Sequence, residues 1–223
     1  TVKLVLKNGI LRATVTGFNN ETARQLSTRI QSAFTDTPAP VAGMVLDLRG
    51  NPGGVMTQAV MLADLFLVSG KILTTRGRHP SSRHEYIARG NDILNNLPLV
   101  VLINGKSASA SEIVAAALQD QQRAIIVGSA SFGKGSIQSV SRLPNGGELK
   151  LTWSQFITPS GYILQGLGVP PAICLGGDKE TADEAIARSL EKIPALQDVM
   201  SSWQEVGVSD TEARRSLRAT CPS

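Results

Sequence analysis

The sequence has few cysteines, few histidines and no long apolar run, and each shortage excludes a class of protein. Among 223 residues there are two cysteines and two histidines. No Cys-x-x-Cys pair or Cys/His cluster has the spacing of a metal site, so we expect no metal and no other cofactor. No apolar run reaches the ~18 residues of a membrane span, so we expect no membrane-spanning segment.

The charge is also modest and widely distributed. Lysine and arginine number 22 against 18 acidic residues, a net charge of +4, and aromatic residues make up 4% of the chain. Apart from residues 76–89 the basic residues are scattered, and no basic helix carries interleaved aromatics. The chain has no recognisable nucleic-acid module, and we expect no nucleic-acid partner. Hydrophobic residues at 42% are typical of a globular chain long enough to bury a core.

The two cysteines, Cys174 and Cys221, both lie in the C-terminal part of the chain. They are candidates for a disulfide that ties the tail to the core, and two unrelated thiols are the alternative. A disulfide would indicate an oxidising compartment.

Strand and helix patterns alternate from the middle of the chain onward. Apolar runs that end in glycine-rich or polar turns and lead into helical patterns predict crossover units, which make neighbouring strands parallel. We predict strands at 44–48, 71–75, 99–103 and 124–127, and hairpins at 3–16 and 137–156. We predict helices at 21–34, at 57–68, from the alternating serines to about 122, from 179 onward, and at 211–219. The fold class is therefore α/β, with an antiparallel hairpin and C-terminal helices. Residues 77–96 are polar and irregular, either a lid or a surface insertion.

The segment 100–117 predicts a strand that turns sharply into a helix, with serines at alternate positions. Ser109 is the middle one. Unpaired N–H groups and the positive end of the dipole at a helix N-terminus favour a developing negative charge, so this is a suitable place for a serine nucleophile. The alternative is that the serine only caps the helix.

A serine nucleophile needs a base, and the chain offers two kinds. His79 and His84 both lie in the polar loop, which disfavours a histidine-based triad. Lys134 lies between glycines just after a predicted buried strand. Because that strand and 99–103 are predicted to be parallel, Ser109 and Lys134 should meet at one edge of the sheet.

Residues 128–135 also approach the P-loop pattern G-x-x-x-x-G-K-[ST]. The pattern fails at Gly135, where a hydroxyl would bind magnesium, and a P-loop opens a helix, whereas the residues that follow alternate as a strand. Nucleotide binding is therefore disfavoured.

Four motifs in order resemble those of the C-terminal processing peptidases, also called tail-specific proteases, which are serine peptidases of family S41. The likeness covers about residues 10–172, and Phe18-Asn-Asn-Glu-Thr22 resembles the family's F-N-x-x-T opening. The motifs are Asp47-Leu-Arg-Gly-Asn-Pro-Gly-Gly54, Asn104-Gly-Lys-Ser-Ala-Ser-Ala-Ser-Glu112, Phe132-Gly-Lys-Gly135-Ser-Ile-Gln138 and Gly166-Leu-Gly-Val-Pro170.

The resemblance implies a crotonase-like ββα-spiral peptidase core and a serine endopeptidase that cuts protein substrates near their C-termini through an acyl-enzyme. It implies Ser109 as nucleophile, Lys134 as general base and Gln138 as the residue that orients the lysine. The implied oxyanion donors are the backbone N–H of Ala110 and one from the Gly53-Gly54 turn. Protein or peptide substrates are bound by their C-terminal region, and the location implied is periplasmic or extracellular.

We assign residues 1–176 to the peptidase core and 177–223 to a helical extension packed on it. Three departures limit the resemblance. Family members usually carry a PDZ domain before the core, which this chain starts too late to hold. Pro171-Ala172 replaces the usual Pro-Asp, and Lys106 stands where a small residue is common.

Two other functions remain open. One is a catalytically silent or gated protein that binds peptide tails on the same fold, as a scaffold. The other is a small-ester hydrolase that uses the same nucleophile. A homo-oligomer or a regulatory partner is compatible with all three readings.

Overall fold

The computed structural model describes residues 1–36, 40–175, 181–191 and 196–221. The strands are β1 (Val2–Lys7), β2 (Ile10–Val15), β3 (Gly43–Asp47), β4 (Lys71–Arg76), β5 (His84–Ile87), β6 (Leu99–Ile103), β7 (Ile125–Gly128), β8 (Ser136–Arg142), β9 (Glu148–Ile157) and β10 (Ile173–Cys174). The helices are α1 (Thr22–Asp36), α2 (Met56–Asp64), α3 (Ala110–Asp120), α4 (Ala182–Glu191), α5 (Leu196–Glu205) and α6 (Thr211–Ala219).

Six strands form a mixed sheet in the order β1-β2-β3-β6-β7-β10. The β1–β2 hairpin is antiparallel, as the Asn8-Gly9 turn predicts, and every later pair in the sheet is parallel. The carboxyl ends of β3, β6 and β7 therefore lie side by side at one edge of the sheet. The turns that follow these three strands carry most of the residues predicted to be functional.

Helix α3 lies at the centre of the molecule. All of its residues from Ala110 to Leu118 are buried, including four alanines whose small side chains let α2 approach closely. Helix α2 and strands β4 and β7 contact it. Leu11, Leu46 and Val101, on β2, β3 and β6, are fully buried in the same hydrophobic core. The first turn of α3, residues 110–113, is therefore buried.

A second, antiparallel sheet has the order β5-β4-β9-β8. Its β8–β9 hairpin confirms the predicted hairpin. The prediction of an irregular segment at 77–96 is wrong in part, because β5 pairs with β4. The helix predicted at 57–68 is too long, because α2 ends at Asp64. The Asp64 carboxylate accepts the backbone N–H groups of Arg89 and Gly90 (2.6 and 3.0 Å).

The C-terminal helices follow the short strand β10. Helix α6 has the predicted bounds, whereas α5 was not predicted. Trp203 and Leu217 pack against the hydrophobic core, and a disulfide joins Cys174 to Cys221 with their Cα atoms 5.7 Å apart. Across the described ranges no helix combines the length and apolarity needed to cross a membrane.

Candidate active site

The turn that follows β3 is fixed by its own polar side chains. The Asp47 carboxylate pairs with the Arg49 guanidinium at 2.6 Å, and the fully buried Asn51 donates to the Val15 carbonyl at 2.8 Å. Burial alone would raise the pKa of Asp47, but the hydrogen bonds and the charge of Arg49 outweigh burial and hold that pKa below its usual range. These hydrogen bonds hold the turn in one conformation.

The three alternating serines have different environments, and this separates the candidate nucleophile from its neighbours. The hydroxyl of Ser107 donates to the Leu48 carbonyl (2.8 Å), and that of Ser111 donates to the Asn51 carbonyl (3.0 Å). Both side chains are fully buried, so both serve to join the β6–α3 turn to the turn after β3. Ser109 lies between them and is partly exposed.

Ser109 has a backbone conformation that is unusual for a residue with a side chain. Its φ of 55° and ψ of −110° lie outside the regions that L-residues normally occupy. Such strain persists only where surrounding contacts impose it, and it concentrates at functional sites. Here the Ser109 N–H donates to the Glu112 carboxylate at 2.7 Å, which fixes the sharp turn into α3.

Glu112 joins the turn that carries Ser109 to the loop that carries Lys134. Its side chain is fully buried. Oε1 accepts the Ser131 hydroxyl (2.5 Å) and the Gly133 N–H (2.6 Å), and Oε2 accepts the N–H groups of Ser109 (2.7 Å) and Lys134 (2.9 Å). Burial raises the pKa of Glu112, while these four hydrogen bonds oppose that shift by favouring the carboxylate. With four donors present, the acceptor-only ionised form fits the geometry.

The structure brings Ser109 and Lys134 together, as the topology predicts. Their backbone nitrogens donate to the same oxygen, so they lie within about 6 Å of each other. The Lys134 side chain is exposed and projects from a loop that leads into β8 rather than into a helix, unlike a P-loop.

Gln138 lies on β8 opposite Thr152, at the end of a bulge, and its side chain is exposed. No hydrogen bond among the described residues joins its amide to Lys134. Its orienting role therefore stays a prediction.

The two histidines have contacts of their own in the second sheet: the His79 ring lies 5.5 Å from Trp153, and His84 Nε2 lies 2.9 Å from the Ser81 carbonyl oxygen.

Gly53 lies directly against the first residues of α3. A Cβ on Gly53 would lie 2.9 Å from the Ser109 Cβ and 3.0 Å from the Ala110 nitrogen, and the φ of Gly53 is +101°. Its own N–H donates to the Asn51 side-chain oxygen at 2.9 Å and is therefore occupied. Gly53 contributes here by having no side chain.

Gly54 is better placed than Gly53 to offer a donor. The Gly53 carbonyl accepts the Phe18 N–H at 3.0 Å, and because a trans peptide points its C=O and N–H in opposite directions, the Gly54 N–H points away from Phe18. None of the described residues accepts from the Gly54 N–H. The Ala110 N–H is likewise at the first position of a helix, where no intrahelical acceptor exists.

Sequence reasoning missed the roles of Glu112, Asn51 and Ser111. The one available signal for Glu112 was the spacing Ser-x-x-Glu at a helix start, in which the glutamate reaches back to the N-cap backbone. Nothing in the sequence indicated the bonds from Glu112 to Gly133 and Lys134. Within the described residues no His, Cys, Asp and Glu side chains cluster closely enough to hold a metal ion.

Comparison with known proteins gives one consistent result. Residues 9–175 match the model of peptidase family S41. The chain is 46% identical over 157 residues to a carboxy-terminal-processing protease of Bartonella bacilliformis, covering 70% of this chain and 36% of that protein. It is 34% identical over 184 residues to a probable CtpA-like serine protease of Staphylococcus aureus, covering 81% and 35%.

A solved structure shows the same fold. The photosystem II D1 C-terminal processing protease superposes with a TM-score of 0.64 at 34% identity, covering 73% of this chain and 41% of that one. The predicted fold class is thereby confirmed. The chain spans about a third of the length of the curated relatives it matches.

Proposed function

This chain is a member of peptidase family S41, and from that premise we propose that it is a serine endopeptidase with a Ser-Lys dyad. Ser109 is the nucleophile and Lys134 the general base. Gln138 orients the lysine, and the cut falls near the C-terminus of a protein substrate.

The observation that carries the proposal is the shared carboxylate of Glu112. One buried side chain fixes the backbone of both proposed dyad members, although they are 25 residues apart in the sequence. A nucleophile and its base must be held at hydrogen-bond reach, and a common rigid acceptor is a direct way to do so.

In the first half-reaction the neutral Lys134 amine takes the proton of Ser109 Oγ as that oxygen bonds to the scissile carbonyl carbon. The carbonyl oxygen becomes an oxyanion. The C–N bond then breaks, the lysine ammonium gives its proton to the leaving amine, and an ester to Ser109 remains. In the second half-reaction Lys134 takes a proton from water, whose oxygen attacks the ester carbon. The bond from that carbon to Ser109 Oγ then breaks, the carboxylic acid product leaves, and the lysine ammonium returns the proton to Ser109 Oγ.

The oxyanion is proposed to lie between the N–H groups of Ala110 and Gly54. Both groups lack an acceptor in the described structure, and Ala110 begins α3, so the positive end of the helix dipole adds to the stabilisation. Gly53 leaves the space that a carbonyl oxygen needs beside Ser109.

A cavity of about 770 Å³ supports binding of substrate tails. It is lined by Arg76, Arg78, His79 and Trp153, among others. Arg76 pairs with Gln155, and Gln155 pairs with Ser136, two residues after Lys134. Two strand spacings of ~4.8 Å place the backbone of Arg76 about 10 Å from that of Ser136, the first residue of β8. Two arginines there suit the terminal carboxylate of a peptide.

The exposure of Lys134 favours an enzyme that is gated at rest. An amine acts as a base only when neutral, and removal from water favours the neutral form. Substrate, a partner or a second copy of the chain would therefore have to cover Lys134.

The disulfide supports a periplasmic or extracellular location, where such bonds persist. A catalytically silent peptide-binding scaffold is the second candidate.

The test is cleavage of an unstructured protein, casein, by the wild type and three variants, with fragments read by mass spectrometry. We expect cleavage by the wild type and by Lys106→Met, which removes a neighbouring exposed lysine, and none by Ser109→Ala or Lys134→Met. Equal cleavage by Ser109→Ala would overturn the proposal. If no variant cleaves, labelling of Ser109 by a serine-directed phosphonate would support a gated enzyme, and absence of labelling would favour the scaffold.

A further inference from the structure

Helix α6 lies outside the span that matches the family model, and yet it contacts the loop that carries Lys134. The matched span is 9–175. Arg218 Nη1 donates to the Phe132 carbonyl at 2.8 Å and to the Leu167 carbonyl at 3.2 Å. A side chain from the C-terminal helix thus reaches the backbone two residues before the proposed base.

The peptide group between Phe132 and Gly133 is held on both sides. Arg218 binds its C=O, and the Glu112 carboxylate accepts its N–H at 2.6 Å. The next peptide group is held in the same way, because the Gly133 carbonyl accepts the Gly166 N–H (2.8 Å) and the Lys134 N–H donates to Glu112 (2.9 Å). Four hydrogen bonds therefore fix the two peptide groups that set the direction of the Lys134 side chain.

The glycine in this segment makes the hydrogen bonds necessary. Gly133 has a φ of +90°. Glycine also populates many other conformations, so the residue by itself does not hold the loop in this one. Without Arg218, only the bond from the Gly133 N–H to Glu112 would hold this peptide group, and rotation of the group would move the following residue.

Helix α6 is itself firmly attached. The buried Arg214 donates to the Gln165 carbonyl at 2.6 Å, and the Gln165 side chain accepts the Gly135 N–H at 3.0 Å. The end of the helix is tied down by the disulfide between Cys174 and Cys221, and the Cys221 carbonyl accepts the Ala130 N–H at 3.2 Å. Arg218 therefore acts from a fixed support.

We infer that Arg218 of the C-terminal helix is a positioning residue for Lys134. Helix α6 and its disulfide are therefore part of the active site, because they hold Arg218 in place. The inference rests on the proposed role of Lys134 as base. Since misplacement of a catalytic group by about 1 Å costs on the order of 100-fold in rate, loss of one of these bonds should be visible in kcat.

The experiment compares Arg218→Gln with Arg215→Gln, which removes an exposed arginine of the same helix. We expect Arg218→Gln to lower kcat roughly 10- to 100-fold with KM changed less than about twofold, and Arg215→Gln to leave both unchanged. Arg218→Lys, which keeps one donor, should recover part of the rate. The Cys174→Ser/Cys221→Ser double variant should lower kcat in the same direction.

Amide hydrogen exchange followed by NMR provides a readout that needs no turnover. In Arg218→Gln the N–H groups of Gly133 and Lys134 should exchange at least about tenfold faster, while amides in β3 and β6 keep their wild-type rates. Faster exchange across the whole molecule would indicate lost stability and overturn a positioning role. Unchanged exchange at Gly133 and Lys134 would also overturn it.

The two proposals fail in different ways. If Ser109→Ala retains the activity of the wild type, the proposed function fails, whereas the exchange comparison still decides whether Arg218 holds the loop. If Ser109→Ala is inactive and Arg218→Gln has the kcat of the wild type, the proposed function stands and the inference about Arg218 is wrong.

Discussion

Glu112 and Lys134 are joined by a 2.9 Å hydrogen bond from the lysine backbone N–H to the glutamate Oε2, across 22 residues of sequence. The same oxygen accepts the N–H of Ser109. One buried carboxylate thus sets the distance between the backbone nitrogens of the proposed nucleophile and base, whatever rotamers their side chains adopt.

Replacing Glu112 with glutamine should disrupt both halves of the site. An amide has one acceptor oxygen where the carboxylate has two, so two of the four donors would face an NH₂ group. We expect kcat to fall at least about 100-fold. The free energy of unfolding should fall by about 1–3 kcal/mol for each donor left without an acceptor. Glu148→Gln, an exposed glutamate on β9, is the matched control and should change neither. Wild-type kcat in Glu112→Gln would contradict the role assigned to the carboxylate.

The three alternating serines should respond in opposite ways to replacement by alanine. Ser109→Ala should abolish cleavage and leave the melting temperature nearly unchanged. Ser107→Ala and Ser111→Ala each remove a buried hydroxyl that binds a backbone carbonyl, and should cost about 1–3 kcal/mol of stability. Thermal melts together with active-site titration by a phosphonate separate the two effects. If the phosphonate labels no active site in Ser111→Ala while Ser109→Ala cleaves as well as the wild type, the nucleophile is wrongly assigned.

Gly53→Ala should damage the oxyanion region specifically. The new Cβ would lie 3.0 Å from the Ala110 nitrogen, in the space proposed for the substrate oxygen, so kcat/KM should fall about 100-fold. Gly50→Ala is the matched control, because it lies in the same turn with a φ of +72° and nothing within 4 Å of its Cβ. Both changes carry a backbone cost of about 1–2 kcal/mol, measured by thermal melts. Gly53→Ala has an additional steric cost, because its Cβ would lie 2.7 Å from the Ala108 carbonyl oxygen. Equal activity of the two variants would remove the steric argument.

The Asp47–Arg49 pair should make stability depend on pH on the acid side. Arg49 lowers the pKa of Asp47 in the folded state, so between the folded and unfolded values the unfolded chain binds more protons. The stabilising contribution is therefore full above the unfolded value of about 4 and is lost as the pH falls through the folded value. Urea titrations should show that wild type exceeds Asp47→Asn at pH 6 and that the difference shrinks towards pH 3. A difference that grows on acidification would contradict the assigned sign.

The arginines beside the cavity should recognise a free C-terminus. In Arg76→Gln/Arg78→Gln, KM for a peptide with a free terminal carboxylate should rise about 10-fold or more, since a charge-assisted hydrogen bond contributes roughly 1.5–3 kcal/mol. KM for the same peptide with an amidated terminus should not change. Arg142→Gln/Lys150→Gln on the β8–β9 hairpin removes the same two charges from exposed positions and controls for net charge. Equal effects on both peptides would point away from tail recognition.

The amino-acid sequence by itself determined the local elements and the candidates for chemistry. The alternation of apolar runs and glycine-rich turns places strands β3, β6 and β7 in order, and crossover topology then requires their carboxyl ends to meet. That argument alone brings Ser109 near Lys134. It depends only on local sequence patterns and on the right-handedness of crossover connections, and neither needs information from residues distant in the sequence.

The tertiary structure decided what depends on partners distant in sequence. Ser107 and Ser111 are distinguished from Ser109 only by carbonyls 59 and 60 residues away. The four donors around Glu112 and the reach of Arg218 to Phe132, 86 residues back, are set by sheet register and helix docking. Such contacts leave no periodicity in the sequence. They arise because folding brings unpaired buried polar groups together, and each must find a partner wherever the packed chain supplies one.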